Sequence, residues 1–203
     1  MYYTKFNTRF CKVILAGDEK GLAYLHLNTG EGSRQFEIQE SWEFNPDFFE
    51  DIKLQIVEYL DGKRKTFNVA LNATGTEYQK KVWAKLCDIP YGSLVSYKDI
   101  AKKMGNSKAS RAVGAANGKN PIPLIIPCHR VVGTNGNLTG FAHGLNIKEK
   151  LIALEKGATH KSFNPMRRTM FAVIFEVKLR EAGKEKYFNL KTRKSKFIGD
   201  KSL

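Results

Sequence analysis

The sequence predicts an α+β fold, because β-prone runs and amphipathic helices occur together in its 203 residues. CKVILA and GLAYLHLN are joined by the polar turn GDEK, which predicts a β-hairpin. PDFFEDIKLQIVEYLDG has apolar residues at helical spacing and Gly62 just beyond its end, which predicts a helix. TFNVAL then predicts a short strand. We assign these elements to an N-terminal α+β scaffold domain over residues 1–74.

A second domain, over residues 75–160, is expected to be richer in helix. TEYQKKVWAKLCDI fits a helix capped by Thr76. SYKDIAKKMG begins with Ser96 and has Asp99 three residues on, close to a capping box, and Gly105 ends it. SKASRAVGAANG predicts another helix shortly after. Two short helices separated by a tight Gly-Asn turn are typical of a helix-turn-helix.

The second of these helices is rich in small residues, with Arg111 as its one long side chain. Small side chains let a helix backbone approach another surface, either a neighbouring helix in the core or a groove of nucleic acid. The lysines around it favour DNA. These lysines are Lys98, Lys102, Lys103, Lys108 and Lys119.

The composition narrows the class of protein. The formal charge of +14 and the pI of about 9.7 favour a polyanionic partner, of which nucleic acid is the commonest in cells. No run approaches the roughly 20 apolar residues that span a membrane, and no secretory signal is evident at the N-terminus. Cys11, Cys87 and Cys128 are far apart, which indicates neither a disulfide framework nor a zinc site. We therefore expect a reduced, cytoplasmic protein without membrane association or bound metal.

The segment NPIPLIIPCHRVVG carries the candidate chemistry. Its three prolines prevent a regular helix or a central strand, while the apolar run 124–126 must be buried. The chain therefore holds Cys128 and His129 on a rigid, irregular support. A free cysteine in such a place is by default an inert hydrophobe. The adjacent imidazole and Arg130 favour its thiolate instead, and a thiolate is a nucleophile.

The sequence PCHRV at residues 127–131 resembles the active-site motif of the O6-alkylguanine-DNA alkyltransferases. TEYQKKVW, IPYG, SYKDIA, RAVG, TGFAHGL and IKEKLIALE resemble the same family in the family's order. The ordered set covers roughly residues 75 to 157 and is far more specific than PCHR alone. The resemblance implies a small antiparallel sheet in the N-terminal domain and a mainly helical C-terminal domain. It also implies transfer of an alkyl group from O6-alkylguanine in duplex DNA to Cys128, once per protein molecule.

The resemblance also implies roles for individual residues. Cys128 is the acceptor, and His129, oriented by Glu155, takes the thiol proton through a water molecule. Tyr97 donates a hydrogen bond to the departing guanine. Asn120 braces the active-site segment against the turn of the DNA-binding motif.

For DNA, the resemblance implies that the helix bearing Arg111 lies in the minor groove while the damaged nucleotide flips into a pocket. Backbone groups near Val131 and Ala142 would read the flipped base. Phe141 stands where Tyr is common in the family, and His143 where Gly is common. We therefore expect His143 to narrow the pocket and disfavour large adducts. The small residues of the DNA-binding helix are Ala109, Ser110, Ala112 and Gly114.

The implied partner is double-stranded DNA carrying O6-alkylguanine, and we expect a monomer. No cofactor is implied, because the damaged DNA is itself the alkyl donor. A transcription regulator is one alternative, which explains Arg111 but leaves Cys128, His129 and Glu155 without a purpose. A cysteine hydrolase is another, which explains Cys128 and His129 but not the basic helix pair.

Residues 161–203 form a basic C-terminal extension beyond the resemblance. They hold 12 Lys and Arg against 4 Asp and Glu, a net charge of +8. FAVIFEVKL and KYFNL, separated by EAGKE, are compatible with a hairpin or with helix. The extension either adds non-specific DNA affinity or is a structural appendix, and the sequence favours neither.

Overall fold

The computed structural model of the chain describes residues 1–157, 176–181, 184–189 and 194–197. The chain divides into two compact units, Met1–Phe163 and Asn164–Leu203. Within the described ranges, the first unit holds a four-stranded sheet, a two-stranded sheet and five α-helices, and the second holds a three-stranded sheet. No helix in these ranges has the length and apolar character needed to cross a bilayer.

The first sheet has the strand order β3-β2-β1-β4. Strands β1 (Tyr2–Asn7), β2 (Lys12–Asp18) and β3 (Gly21–Asn28) are antiparallel neighbours, so the predicted hairpin is confirmed as β2 and β3. Strand β4 (Glu43–Phe44) lies parallel to β1. The expectation of an antiparallel sheet is therefore wrong for this strand. The sheet is mixed, because the chain returns to the free edge of β1 in the same direction.

The strand expected at TFNVAL does not form. Of this segment, Leu71 alone makes a β-bridge, to Leu22. The amide of Leu22 donates to the carbonyl of Ala70 (2.8 Å), and the amide of Asn72 donates to the carbonyl of Leu22 (2.8 Å). Earlier in the segment, the amide of Asn68 donates to the side chain of Gln55 (2.8 Å) instead of to a strand. Only one residue of this β-prone run is therefore in register with a neighbouring strand.

Helix α1 (Glu50–Leu60) confirms the predicted amphipathic helix, and a 3-10 turn (Asp47–Phe49) precedes it. Its apolar face buries Ile56 and Tyr59 completely. It ends at Leu60, and two residues later Gly62 has a φ of +77°, a left-handed conformation that glycine adopts without strain.

The helical region follows the boundaries that the capping residues predict. Thr76 and Gln79 form a capping box on α2, and Ser96 and Asp99 form one on α3. Strand β5 pairs in parallel with β6, which places the start of α3 beside the end of the PCHR segment. The elements are α2 (Glu77–Cys87), β5 (Val95–Ser96), α3 (Tyr97–Lys103), α4 (Ser110–Gly118), a 3-10 turn (Cys128–Arg130), β6 (Val131–Val132) and α5 (Leu145–Glu155).

One apolar core joins the four-stranded sheet to these helices, with Leu15 and Leu25 of the sheet in the same buried cluster as Leu86 and Leu151 of the helices. The indole nitrogen of Trp83 donates to the carbonyl of Ala116 (2.9 Å) and so ties α2 to α4. The site described below therefore rests on elements that share a continuous core.

The second unit contains β7 (Glu176–Glu181), β8 (Lys184–Asn189) and β9 (Lys194–Phe197), with antiparallel neighbours in that order. Strands β7 and β8 form a hairpin at the place where the sequence was compatible with one. The first half of FAVIFEVKL, residues 171–175, lies outside the described residues. Strand β9 was not predicted.

Candidate active site

The segment from Asn120 to Cys128 is held as an irregular loop by its own hydrogen bonds. The side-chain amide of Asn120 donates to the carbonyl of Ile126 (2.8 Å) and accepts from the amide of Ile122 (3.0 Å). Leu124 adopts a φ of +72°, which is uncommon for a residue with a side chain. The amide of Cys128 donates to the carbonyl of Ile126 (2.7 Å). Asn120 thus fastens both ends of the loop that ends at Cys128.

Cys128 is only 4% exposed and forms part of the wall of a small open cleft. Of the four residues predicted for the substrate pocket, Phe141, Ala142 and His143 line this cleft, and Val131 does not. Val131 is buried, and its carbonyl accepts a hydrogen bond from Lys148. The lining residues are Arg34, Asn117, Gly118, Asn120, Cys128, Phe141, Ala142 and His143.

Burial raises the pKa of the Cys128 thiol, while a hydrogen bond from Asn120 and the positive charges of Lys148 and Arg34 oppose the rise. The net effect is upward, so the resting group is a neutral thiol at neutral pH. A nucleophilic reaction at this sulfur therefore needs a base nearby.

His129, the residue after Cys128, is in contact with Glu155. His129 Nε2 is 2.9 Å from Glu155 Oε1 and 3.2 Å from the hydroxyl of Tyr59. A carboxylate only accepts, so Nε2 carries the proton and Nδ1 is left with its lone pair. Nδ1 has no hydrogen-bond partner among the described residues. Burial lowers the pKa of His129, which therefore stays neutral and can accept a proton at Nδ1.

Glu155 is the centre of a buried hydrogen-bond network. Arg130 donates to it from Nη2 (2.8 Å) and from Nε (3.0 Å to each oxygen), and the amide of Gly92 donates at 2.9 Å. The hydroxyl of Tyr59 donates to the same carboxylate. Burial alone would raise the pKa of Glu155, but the hydrogen bonds from His129, Arg130 and Tyr59 outweigh it and lower the pKa to about 2. The carboxylate is therefore ionised throughout the physiological range.

Tyr97 lies at the start of α3 and is directed toward the loop that carries Phe141. Its hydroxyl donates to the carbonyls of Thr139 (3.1 Å) and Gly140 (3.2 Å). It is not among the residues that line the cleft. Burial raises its pKa, so the hydroxyl keeps its proton and remains a donor.

Lys148, which is fully buried, was not predicted as a site residue. Its Nζ donates to the carbonyls of Val131 (2.6 Å) and Thr139 (2.7 Å) and lies 5.9 Å from the centre of the Tyr97 ring. Burial lowers its pKa to about 8, against an opposing effect of Cys128. The sequence did contain a signal for this buried lysine, because it is a charged residue beside an otherwise apolar row of α5. The row consists of Ile147, Leu151 and Ile152.

Tyr59 and Arg34 were also missed. Both come from the N-terminal 74 residues, which the sequence analysis treated as scaffold. Arg34 Nη2 donates to the carbonyl of Lys119 (3.2 Å), and Nη1 donates to the carbonyl of Asn120. Neither lies in a motif, so only the folded chain reveals their proximity to the site.

Helix α4 has one buried and one open side. Val113 and Ala116 are buried in the core, whereas Arg111 and Ala112 are exposed. Ala109, Ser110 and Gly114 are half-buried. The small residues thus pack in the core on one side of the helix. On the other side they leave Arg111 as the one long side chain that projects from the helix.

Comparison with known proteins gives a consistent result. The ribonuclease-like domain of 6-O-methylguanine DNA methyltransferase matches residues 1–73, and the DNA binding domain matches residues 77–157. A methylated-DNA–protein-cysteine methyltransferase of Methanosarcina acetivorans is 50% identical over 155 residues, covering 76% of this chain and 98% of the relative. The inducible one of Bacillus subtilis is 38% identical, covering 78% and 92%.

Among solved structures, Mycobacterium tuberculosis OGT in complex with DNA has a TM-score of 0.72 at 38% identity and covers 78% of this chain and 95% of that one. A 6-O-methylguanine methyltransferase of Methanococcus jannaschii has a TM-score of 0.55 at 26% identity, covering 75% and 92%. The resemblance inferred from PCHRV and its neighbouring motifs is confirmed. The chain belongs to the 6-O-methylguanine DNA methyltransferase family.

Proposed function

We propose that this protein repairs O6-alkylguanine in duplex DNA by taking the alkyl group onto Cys128, once per molecule. The observation that carries this proposal is a buried thiol in the wall of a cleft, followed in the sequence by a neutral imidazole that contacts an ionised carboxylate. Membership of the methyltransferase family supports the same reaction.

The reaction balances without a cofactor. Nδ1 of His129 takes the proton of Cys128 through a water molecule, and the sulfur attacks the alkyl carbon. A carbon–sulfur bond forms as the bond from that carbon to the guanine oxygen breaks. The electron pair of the broken bond remains on guanine, whose ring gains one proton and so balances the proton that His129 removed from Cys128. The product is a thioether, which is stable, so the protein is consumed.

Two sets of charged groups support the thiolate stage, one cationic and one anionic. Lys148 and Arg34 both lower the pKa of Cys128 against the effect of burial. Glu155 holds its negative charge close to His129, which stabilises the imidazolium that forms when the proton leaves the sulfur. Charge therefore moves between groups that are already oriented for it.

Tyr97 is proposed to assist the leaving group. In the free protein, its hydroxyl donates to the carbonyls of Thr139 and Gly140. A flipped guanine in the cleft offers a better acceptor as negative charge develops on the ring. This role requires the hydroxyl to change partners when the base enters.

Duplex DNA is the proposed partner, with α3 and α4 acting as a helix-turn-helix in the minor groove. Arg111 is exposed on α4 and is proposed to occupy the space left by the flipped base. The side chains around Arg111 are short, so the helix backbone can approach the groove closely. These residues are Ala109, Ser110, Ala112 and Gly114. The related Mycobacterium tuberculosis OGT was solved in complex with DNA, which supports this partner.

The remaining proposals concern organisation. We assign residues 1–74 to a supporting domain, 75–160 to the DNA-binding and reactive domain, and 161–203 to a basic extension. We further propose that the protein is a monomer and acts in the cytoplasm.

The test is transfer of a labelled methyl group from O6-methylguanine in duplex DNA to the protein. We expect one equivalent of label on the wild type and none on Cys128→Ala. Cys87→Ala is the matched control, since Cys87 is an exposed free cysteine, and it should take up label like the wild type. A wild type that bound the duplex but took no label would indicate lesion recognition without transfer.

A further inference from the structure

The loop that forms one wall of the cleft, residues 139–144, is fastened to the N-terminal part of the chain. We call residues 139–144 the pocket loop and residues 27–34 the clamp segment. The hydroxyl of Thr29 donates to the carbonyl of His143 (2.6 Å), and the amide of Arg34 donates to the carbonyl of Ala142 (3.0 Å). Nδ1 of His143 lies 3.1 Å from the carbonyl of Leu27. Three separate bonds therefore join the two segments.

The backbones also meet without room for a side chain. A Cβ at Gly32 would lie 2.3 Å from the carbonyl oxygen of Ala142 and 2.6 Å from Cα of His143. Real Cβ atoms are not found this close to backbone atoms, so glycine is needed for the approach. Just beyond the loop, the side chain of Asn146 donates to Glu31 (3.1 Å), which continues the seam.

The side chain of His143 is part of the fastening. It is 3% exposed, and its ring packs edge-on against His26 with the centroids 5.1 Å apart. It also contacts the ring of Phe141 at 5.6 Å, which is the aromatic wall of the cleft. Outward movement of the pocket loop would thus break the bond to Leu27 and expose a buried imidazole.

We infer that the clamp segment sets the largest alkyl group that the cleft accepts, by preventing the pocket loop from moving outward. The inference rests on the proposed function and assigns Thr29 and Gly32 as positioning residues for substrate size. It revises the expectation that the bulk of His143 narrows the pocket. The ring is engaged with Leu27 and His26, so its main effect is to anchor the loop.

The experiment compares single-turnover transfer of benzyl and methyl groups from matched duplexes to the full chain. Thr29→Val removes the donor to His143 while nearly keeping the shape. We expect the benzyl-to-methyl rate ratio to rise about 3- to 10-fold, the range that corresponds to one ordinary hydrogen bond. Thr29→Ser restores the hydroxyl and should restore the wild-type ratio. A ratio of rates is independent of the fraction of protein that is folded.

Thr8→Val is the matched control, because the hydroxyl of Thr8 also donates to a backbone carbonyl, that of Cys11, at 2.7 Å. Its ratio should equal that of the wild type. A second variant, Gly32→Ala, pushes the two backbones apart and should raise the ratio as well. Methyl transfer with an unchanged or lower ratio in both Thr29→Val and Gly32→Ala overturns the inference alone. Failure of the wild type to transfer methyl overturns the proposed function and the inference together.

Discussion

Replacing Glu155 with glutamine tests the buried network directly, because the amide keeps the shape and removes the charge. The pKa of Glu155 falls from 4.5 to about 2, which corresponds to about 3 kcal/mol of favourable interaction with the carboxylate. Screening by solvent at the edge of the network reduces this to about 2 kcal/mol. Arg130 and His129 would keep a single uncharged acceptor oxygen, and the amide nitrogen would face other donors of the network, so we expect Glu155→Gln to lower the free energy of unfolding by about 2–3 kcal/mol at pH 7.

The contribution of Glu155 to stability depends on pH. The folded pKa lies below the unfolded one, so the stabilisation is complete above about pH 4.5 and is lost as the pH falls toward 2. Urea unfolding of both proteins at several pH values should show a difference that shrinks over that window. Transfer at neutral pH should also slow by about 10- to 100-fold, because His129 loses its orienting charge.

Glu149→Gln is the matched control, since Glu149 is half-buried on the same helix, α5. It should unfold and react like the wild type. A Glu155→Gln protein with wild-type stability, or with a deficit that stays constant from pH 7 to pH 2, would refute the account of the network.

Three further outcomes are expected. Lys148→Met should shift the pH profile of transfer to higher pH, because Lys148 lowers the pKa of Cys128. Lys5→Met, on the surface, should leave the profile unchanged. Identical profiles for the two variants would contradict this. The folded pKa of His143, about 3, lies below 6.5, so stability should fall by up to about 5 kcal/mol as the pH drops from 6.5 to 3. Urea unfolding of His143→Phe should lack that part of the slope, and an equal slope would count against it. Removing residues 161–203 should weaken binding to undamaged duplex and reduce its salt dependence, because a net charge of +8 is lost; an unchanged slope would make the extension a structural appendix.

The local elements of the fold were predictable because their signals are local. Thr76 and the pair Ser96 and Asp99 mark helix starts by side chains that bond to neighbouring amides, and the helices begin there. The β-prone run that ends at Leu71 was wrongly predicted as a strand. A strand also needs a partner in register, and local composition does not encode that partner. The parallel pairing of β4 depends in the same way on where the chain returns in space.

In the candidate site, too, residues within motifs were predictable and residues that act through distant contacts were not. Cys128, His129 and Glu155 were proposed as site residues from motif order, and the fold brings His129 and Glu155 into contact. Tyr59 was not identified, because it is one aromatic on the buried face of α1 and its role depends on contact with a residue 96 positions later. Lys148 was missed for a related reason, as its two acceptors are backbone carbonyls, which leave no trace in side-chain patterns.

The hydroxyl of Tyr59 also limits how this chain can be divided or recombined. A fragment of residues 75–157 would carry every residue of the PCHR motif yet lack one donor to the carboxylate that orients the imidazole. A chimaera that took its first 74 residues from a relative would keep this donor to Glu155 only if a hydroxyl were delivered to the same point. Two separately produced halves would regain it on mixing only if α1 docked in its native place.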